Sequence, residues 1–424
     1  MEKINNNDKQ LMTLQNTVRS LLHAFYTGSG LSLKNKLAYP YFLVNDRAIK
    51  RKINEITQIV ASLEGTEEKE ALLRLGSQLE KKKFFFSEDV ASFLYLLYNI
   101  LRKKEEKKSK HIQIYIPSIN ITAYPLQDKE YIYVLKKLNM IGERLHTEKK
   151  GTLLLFGSLA TRDYVKGHSD LDTVFIISKE ACLDKKKLLE IRKDIAEIMG
   201  ESYFIDSLQH HGPYIFTEYD LDMFPQYYLP FAVWKNMVSF CGDVELKFTE
   251  RQASPEEMIG ELRRYKEMFL EILETPVEKL PKSNYSRKYL YQAILLFPAV
   301  YLLVKGQPCY KRDSFVLIRK HLKSQGNMLL DALSEVWSTN GFNTRAASPS
   351  IQKLSRMISY PFCYPFVYRL FYSQTLREEQ KQKIELHLRE GAKDFITVID
   401  VELKKLQKKN YLHKNRGGRE KEEM

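Results

Sequence analysis

The sequence predicts an α+β protein, a small mixed sheet with its own helices set between a helical N-terminal region and a C-terminal helical bundle. Three observations carry this expectation. Apolar residues recur at helical spacing in "LMTLQNTVRSLLHAFY" and "SEDVASFLYLLYNILRKK", within the first 104 residues. Between residues 111 and 230, the short apolar runs "TLLLF" and "DLDTVFIIS" alternate with helix-like segments, a strand-helix-strand-helix order. Beyond about residue 230 the helical pattern dominates.

In chain order, residues 1–110 form the N-terminal helical region, with Ser87 as the expected N-cap of its last helix. The run "RKKEEKKSK", residues 102–110, has no apolar face and reads as a solvated helix end or linker, so a boundary falls here. Residues 111–230 hold the sheet. "HIQIYIPSINITAY" gives a short strand ended by Pro117, and a helix over 128–146 presents Tyr131, Leu135, Leu138 and Ile141 on one side. A Lys-Lys-Gly turn at 149–151 leads into "TLLLF", and a helix covers 185–199.

Residues 231–408 form the C-terminal helical part. Ser254, Pro255 and Glu257 carry the cap, first-turn proline and capping-box signals of a helix start. A helix over 287–304 stops at Gly306, and further helices are expected over 314–322, 328–337, 351–358 and 376–406. Residues 409–424, "KNYLHKNRGGREKEEM", have too little apolar surface to pack and read as a disordered basic tail.

With 44% hydrophobic and 12% aromatic residues the chain can bury a sizeable core. Its formal charge of +14 favours an acidic partner such as nucleotide phosphate, although charge of this size also serves solubility. The four cysteines lie far apart with no CxxC pair, which argues against a disulfide framework or a zinc cluster and for a reducing compartment. The polar N-terminus lacks a secretory apolar core, and the longest apolar run, Ala293 to Val304, is interrupted by Pro298 and too short for a bilayer. The expectation is a cytoplasmic protein with no membrane partner.

The chemistry concentrates in "LLLFGSLATRDYVKGHSDLDTVFII", residues 153–177. Alternation along a strand puts Asp170 and Asp172 on one face and Leu171 on the other. Two carboxylates so close repel unless a cation sits between them, and a hard divalent ion such as Mg²⁺ is the simple solution. Gly157 and Ser158 end the preceding apolar strand, where a bare backbone lets amide donors approach a phosphate. Either piece alone is most often an ordinary turn or cap. The ordered combination of strand, Gly-Ser, polar spacer, Asp-x-Asp and strand is far more specific.

These residues, "FGSLATRDYVKGHSDLDTV", resemble the signature of the DNA polymerase β-like nucleotidyltransferase superfamily, and the resemblance spans roughly residues 128–225. It implies a nucleotidyltransferase core and transfer of a nucleoside monophosphate from a nucleoside triphosphate, with ATP the expected one, to an acceptor hydroxyl with release of pyrophosphate. Mg²⁺ or Mn²⁺ would be the cofactor. By position, Gly157 and Ser158 would hold the triphosphate while Asp170 and Asp172 bind metal. Arg162 and Lys166 are added as candidate phosphate contacts, with His168 on the same rim. The acceptor, whether small molecule, protein or RNA, is not named by the sequence.

The superfamily usually has a third carboxylate on a neighbouring strand. Asp206, at the end of an apolar run, is the first choice as that metal ligand and as the base, with Glu218 or Asp220 as alternatives. Of the adjacent pair His210 and His211, at most one faces the site, and His211 is assigned to the nucleotide. Further candidates are Lys305, Lys311 and Arg312 for phosphate, and the aromatics of residues 360–372 for base stacking, although core packing is the simpler reading of the latter.

Overall fold

The computed structural model describes residues 6–28, 42–43, 47–63, 67–82, 85–102, 111–165, 169–205, 211–251, 253–276, 284–338, 342–344, 374–376 and 378–422. The helices are α1 (Asn6–Thr27), α2 (Arg47–Ala61), α3 (Glu67–Lys81), α4 (Ser87–Leu101), α5 (Lys129–Thr147), α6 (Gly157–Thr161), α7 (Lys179–Cys182), α8 (Lys185–Ile205), α9 (Glu218–Leu221), α10 (Phe231–Trp234), α11 (Pro255–Glu274), α12 (Asn284–Val304), α13 (Lys311–Ile318), α14 (Ser324–Ser338) and α15 (Glu378–Glu422). The strands are β1 (Phe42–Leu43), β2 (Phe85–Phe86), β3 (His111–Ile116), β4 (Gly151–Phe156), β5 (Asp172–Ile177), β6 (Tyr214–Thr217), β7 (Phe224–Pro225), β8 (Val238–Ser239), β9 (Val244–Arg251), β10 (Phe342–Thr344) and β11 (Gln374–Leu376). The protein is therefore α+β with small mixed sheets.

The central sheet has the order β6-β5-β4-β8. β4 pairs antiparallel with β5 and with β8, and β5 pairs parallel with β6. Alternation assigns its side chains to two separate cores. Leu153, Leu155, Phe175 and Ile177 point to one face, where they join Leu21, Phe25, Phe93, Leu135 and Ile195 from α1, α4, α5 and α8. Leu154, Val174, Ile176 and Phe216 point to the other, against Phe224, Trp234 and Phe248. Burial on both faces explains why β4 and β5 read as continuous apolar runs. The first core runs without a break from the N-terminal helices into the sheet.

A second sheet, β3-β9-β7, meets the first through a bridge between Ser118 and Ser239. β9 extends the sheet-forming region to Arg251, beyond the expected start of the helical part at residue 231. Its pattern explains the omission. Leu246 and Phe248 are buried while Glu245 and Lys247 face solvent, a two-residue alternation with too few apolar positions to stand out from its charged surroundings.

The C-terminal bundle has its own core, in which Leu262, Phe269, Phe297, Leu333, Phe395 and Ile399 meet from α11, α12, α14 and α15. The capping box at the start of α11 is present: Ser254 Oγ accepts from the Glu257 amide at 3.1 Å, and Glu257 Oε2 accepts from the Ser254 amide at 2.8 Å. Gly306 ends α12 in the left-handed region at φ 73°. Two expectations change. Ser87 is the first residue of α4 rather than its cap, and its hydroxyl accepts from the buried Arg192 guanidinium. α15 continues to Glu422 across the stretch expected to be disordered, where no proline interrupts the backbone. The helix expected over 351–358 and the aromatics of 360–372 lie outside the described residues. Among the described residues no helix is long and apolar enough to cross a membrane.

Candidate functional site

The site forms where β4 ends beside the start of β5. Antiparallel pairing sets Phe156 opposite Asp172, so the residue that follows Phe156 must turn away directly against that carboxylate. Gly157 does so at φ 74°, and a Cβ placed there would lie 2.4 Å from Asp172 Oδ2. Glycine is favoured on both counts, since the backbone is left-handed and a Cβ would push against the Asp172 carboxylate. Ser158 follows it into the single turn of α6.

Asp172 opens β5, whereas Asp170 sits two residues before the strand rather than within it. Asp170 is 7% exposed and is held from α12: Lys288 Nζ lies 2.5 Å from Oδ1, and Gln292 Nε2 donates to Oδ2 at 2.6 Å. Residues 288 and 292 are four apart, so one helix face presents both donors to one carboxylate. Asp172 is half-buried, and His211 Nε2 lies 3.2 Å from its Oδ1. The other ring nitrogen, Nδ1, is 3.0 Å from the Gly212 carbonyl. Both nitrogens thus face acceptors, which suits an imidazolium. Burial opposes that charge, but the hydrogen bond and charge of Asp172 and the charge of Asp170 prevail, and the His211 pKa is pushed up to about 9.

Lys311, the first residue of α13, faces the same carboxylates. Burial and the neighbouring Lys288 lower its pKa, while Asp172 and Asp170 pull it upward, with a net fall. Tyr310, just before it, hydrogen-bonds Thr161 of α6, and burial raises its pKa. Three basic groups thus converge on two carboxylates. One donor atom each from Asp170, Asp172 and His211 lies within 4.8 Å of the others, a grouping that could hold a metal ion. Two carboxylates and an imidazole are a donor set that divalent cations accept.

Of the residues expected from sequence, Gly157, Asp170, Asp172, His211 and Lys311 come together, with Ser158 adjacent. Asp206, Lys166, His168 and His210 lie outside the described residues. The alternatives for the third carboxylate are engaged elsewhere. Glu218 Oε2 accepts from the Lys179 amide at 2.6 Å, and Asp220 Oδ2 accepts from the Thr217 amide at 2.7 Å and its hydroxyl at 2.9 Å. Thr217 and Asp220 form a capping box for α9, the structural use of an acid three residues after a threonine. Arg162 ends α6 at φ 63°, exposed and close to Tyr124. Lys305 Nζ is 3.4 Å from His321 Nε2, and Arg312 makes a surface contact with Asp163 at 3.5 Å.

Sequence reasoning missed Lys288 and Gln292. Their one signal is a polar pair at helical spacing inside the otherwise apolar "YLYQAILLF" segment and its lead-in, which marks no function by itself. It also assigned His211 to nucleotide rather than to the carboxylates. The chain matches no family model, no curated protein and no solved structure.

Proposed function

We propose that the protein is a divalent-cation-dependent nucleotidyltransferase that moves a nucleoside monophosphate from a nucleoside triphosphate to an acceptor hydroxyl. The observation that carries this reading is the apposition of Gly157 to Asp172, which makes the Gly-Ser turn and the paired carboxylates one site. Lys288 and Lys311 place basic side chains beside the two aspartates, a setting suited to a triphosphate. The acceptor oxygen bonds to the α-phosphorus as the bond from that phosphorus to the bridging oxygen breaks, and pyrophosphate leaves with the electron pair. Asp170 and Asp172 would hold a divalent cation, which would neutralise charge on the phosphates and lower the pKa of the acceptor hydroxyl. Gly157 and Ser158 would offer backbone donors to phosphate, with Lys311 near the same carboxylates. Asp206 is the candidate that takes the acceptor's proton.

ATP is the expected donor, and the acceptor class follows from experiment. Incubation with each α-labelled nucleoside triphosphate, Mg²⁺ or Mn²⁺ and cell extract should transfer label to one fraction: small molecule, protein or RNA. Failure to label any fraction would count against transfer.

A second reading, a catalytically silent nucleotide-binding regulator, is favoured by two observations. Asp170 is already neutralised by Lys288, and the third member of the carboxylate cluster is a histidine. This reading requires triphosphate binding with no pyrophosphate release.

A further inference from the structure

We infer that the Asp170, Asp172 and His211 cluster selects a divalent first-row transition ion over Mg²⁺, with the His211 imidazole as the discriminating ligand. The inference rests on reading this site as cation-dependent, and it names the cation class. Mg²⁺ is a hard ion that takes oxygen donors and gives up its waters reluctantly. Imidazole nitrogen suits transition ions, whose affinity for nitrogen donors rises along the series from Mn²⁺ through Co²⁺. A cluster with one nitrogen among three donors therefore shifts preference away from Mg²⁺.

Three features prepare His211 as such a ligand. Its Nε2 faces Asp172 Oδ1 at 3.2 Å, inside the cluster. Its Nδ1 lies 3.0 Å from the Gly212 carbonyl, the outer hydrogen bond that orients metal-binding histidines; an ion bound at Nε2 takes the place of the proton that faces Asp172 when no ion is there. Its place in the chain is fixed by β6, which runs parallel to β5 with Tyr214 beside Val174, so the residues just before β6 lie beside the start of β5 where Asp172 stands. Lys288 and Gln292 each engage one oxygen of Asp170 and fix its carboxyl group beside the cluster. The three donor atoms, within 4.8 Å of one another, need to close by only about an ångström to share an ion at about 2.0–2.2 Å.

The test uses the full, untagged chain stripped of metal and titrated without nucleotide by calorimetry with Co²⁺, Mn²⁺ and Mg²⁺ separately, Co²⁺ also being followed by its visible absorption. One equivalent of Co²⁺ should bind at least tenfold more tightly than Mg²⁺. His211→Ala should weaken Co²⁺ at least tenfold and leave Mg²⁺ within a few-fold. His211→Asp, which makes the cluster all-oxygen, should narrow the Co²⁺ to Mg²⁺ ratio at least tenfold, and this ratio decides the matter if the alanine variant does not fold. Equal affinities for Co²⁺ and Mg²⁺, or a ratio indifferent to His211, would overturn the inference. The two readings fail separately. Selective Co²⁺ binding without nucleotide turnover sinks nucleotidyl transfer and leaves the cation preference standing, whereas Mg²⁺-supported turnover indifferent to His211 does the reverse.

Discussion

Lys288 Nζ stands 2.5 Å from Asp170 Oδ1, and neither side chain is open to solvent: the lysine is 0% exposed and the aspartate 6%. This ion pair joins α12 to the segment entering β5, so one carboxylate serves both the candidate site and the fold. Removing one partner of a buried pair strands the other charge, which costs far more than the pair itself contributes. Asp170→Ala should therefore destabilise the protein by about 3 kcal/mol in denaturant unfolding. Adding Lys288→Met to that variant should recover much of the loss. An Asp170→Ala variant as stable as the wild type would show that the pair does not hold in solution. Asp172, half-buried and free of such a pair with lysine, is consequently the better residue for separating chemistry from stability.

Gly157→Ala combines a left-handed backbone with a contact of 2.4 Å to Asp172 Oδ2. The backbone part alone costs about 1–2 kcal/mol, and the steric part adds to it. A double-mutant cycle with Asp172→Ala separates the two, because removing the carboxylate relieves only the clash. Unfolding curves of the four proteins should show Gly157→Ala less harmful in the Asp172→Ala background. Equal cost in both backgrounds would mean that the glycine does not meet that carboxylate.

Glu257 provides a pH-dependent test away from the site. Burial tends to raise its pKa, but paired hydrogen bonds from Arg251 at 2.9 and 3.1 Å, the Tyr227 hydroxyl and the Ser254 amide outweigh it and hold the carboxyl below its usual 4.5. A carboxyl whose folded pKa is depressed contributes stability that is present above the unfolded pKa and lost as pH falls through the folded one. Glu257→Gln should cost about 2 kcal/mol at pH 7. The difference from wild type should shrink as the pH falls below about 4.5. Thermal melts across pH 3–7 check this, and a pH-independent difference would remove the ionised carboxylate from the explanation.

What the sequence makes legible follows from local periodicity. β4 and β5 are apolar on both faces, so their runs stand out, and α5 buries Tyr131, Leu135, Leu138 and Ile141 as its spacing requires. The Gly-Ser turn and Asp170 and Asp172 are legible because they are close in sequence and bound one loop. Lys288 and Gln292 are not, because their meaning depends on α12 meeting a loop 118 residues earlier in the chain. β9 is missed for a different reason, since its partner β3 lies more than a hundred residues away and its exposed face is charged. Glu218 and Asp220 show the limit of composition-based reasoning: acids at a suitable distance from the motif are engaged by backbone amides instead.

The most direct test of nucleotidyl transfer is pyrophosphate release from nucleoside triphosphates in the presence of divalent cation and cell extract, for wild type and Asp172→Asn at matched folded fraction. Release by the wild type, matched by nucleotide incorporated into acceptor, is expected, with a rate at least about a hundredfold lower in the variant, because a metal-held carboxylate would supply several kcal/mol of transition-state stabilisation. Equal release by both proteins, or none by the wild type with any triphosphate, would contradict this expectation.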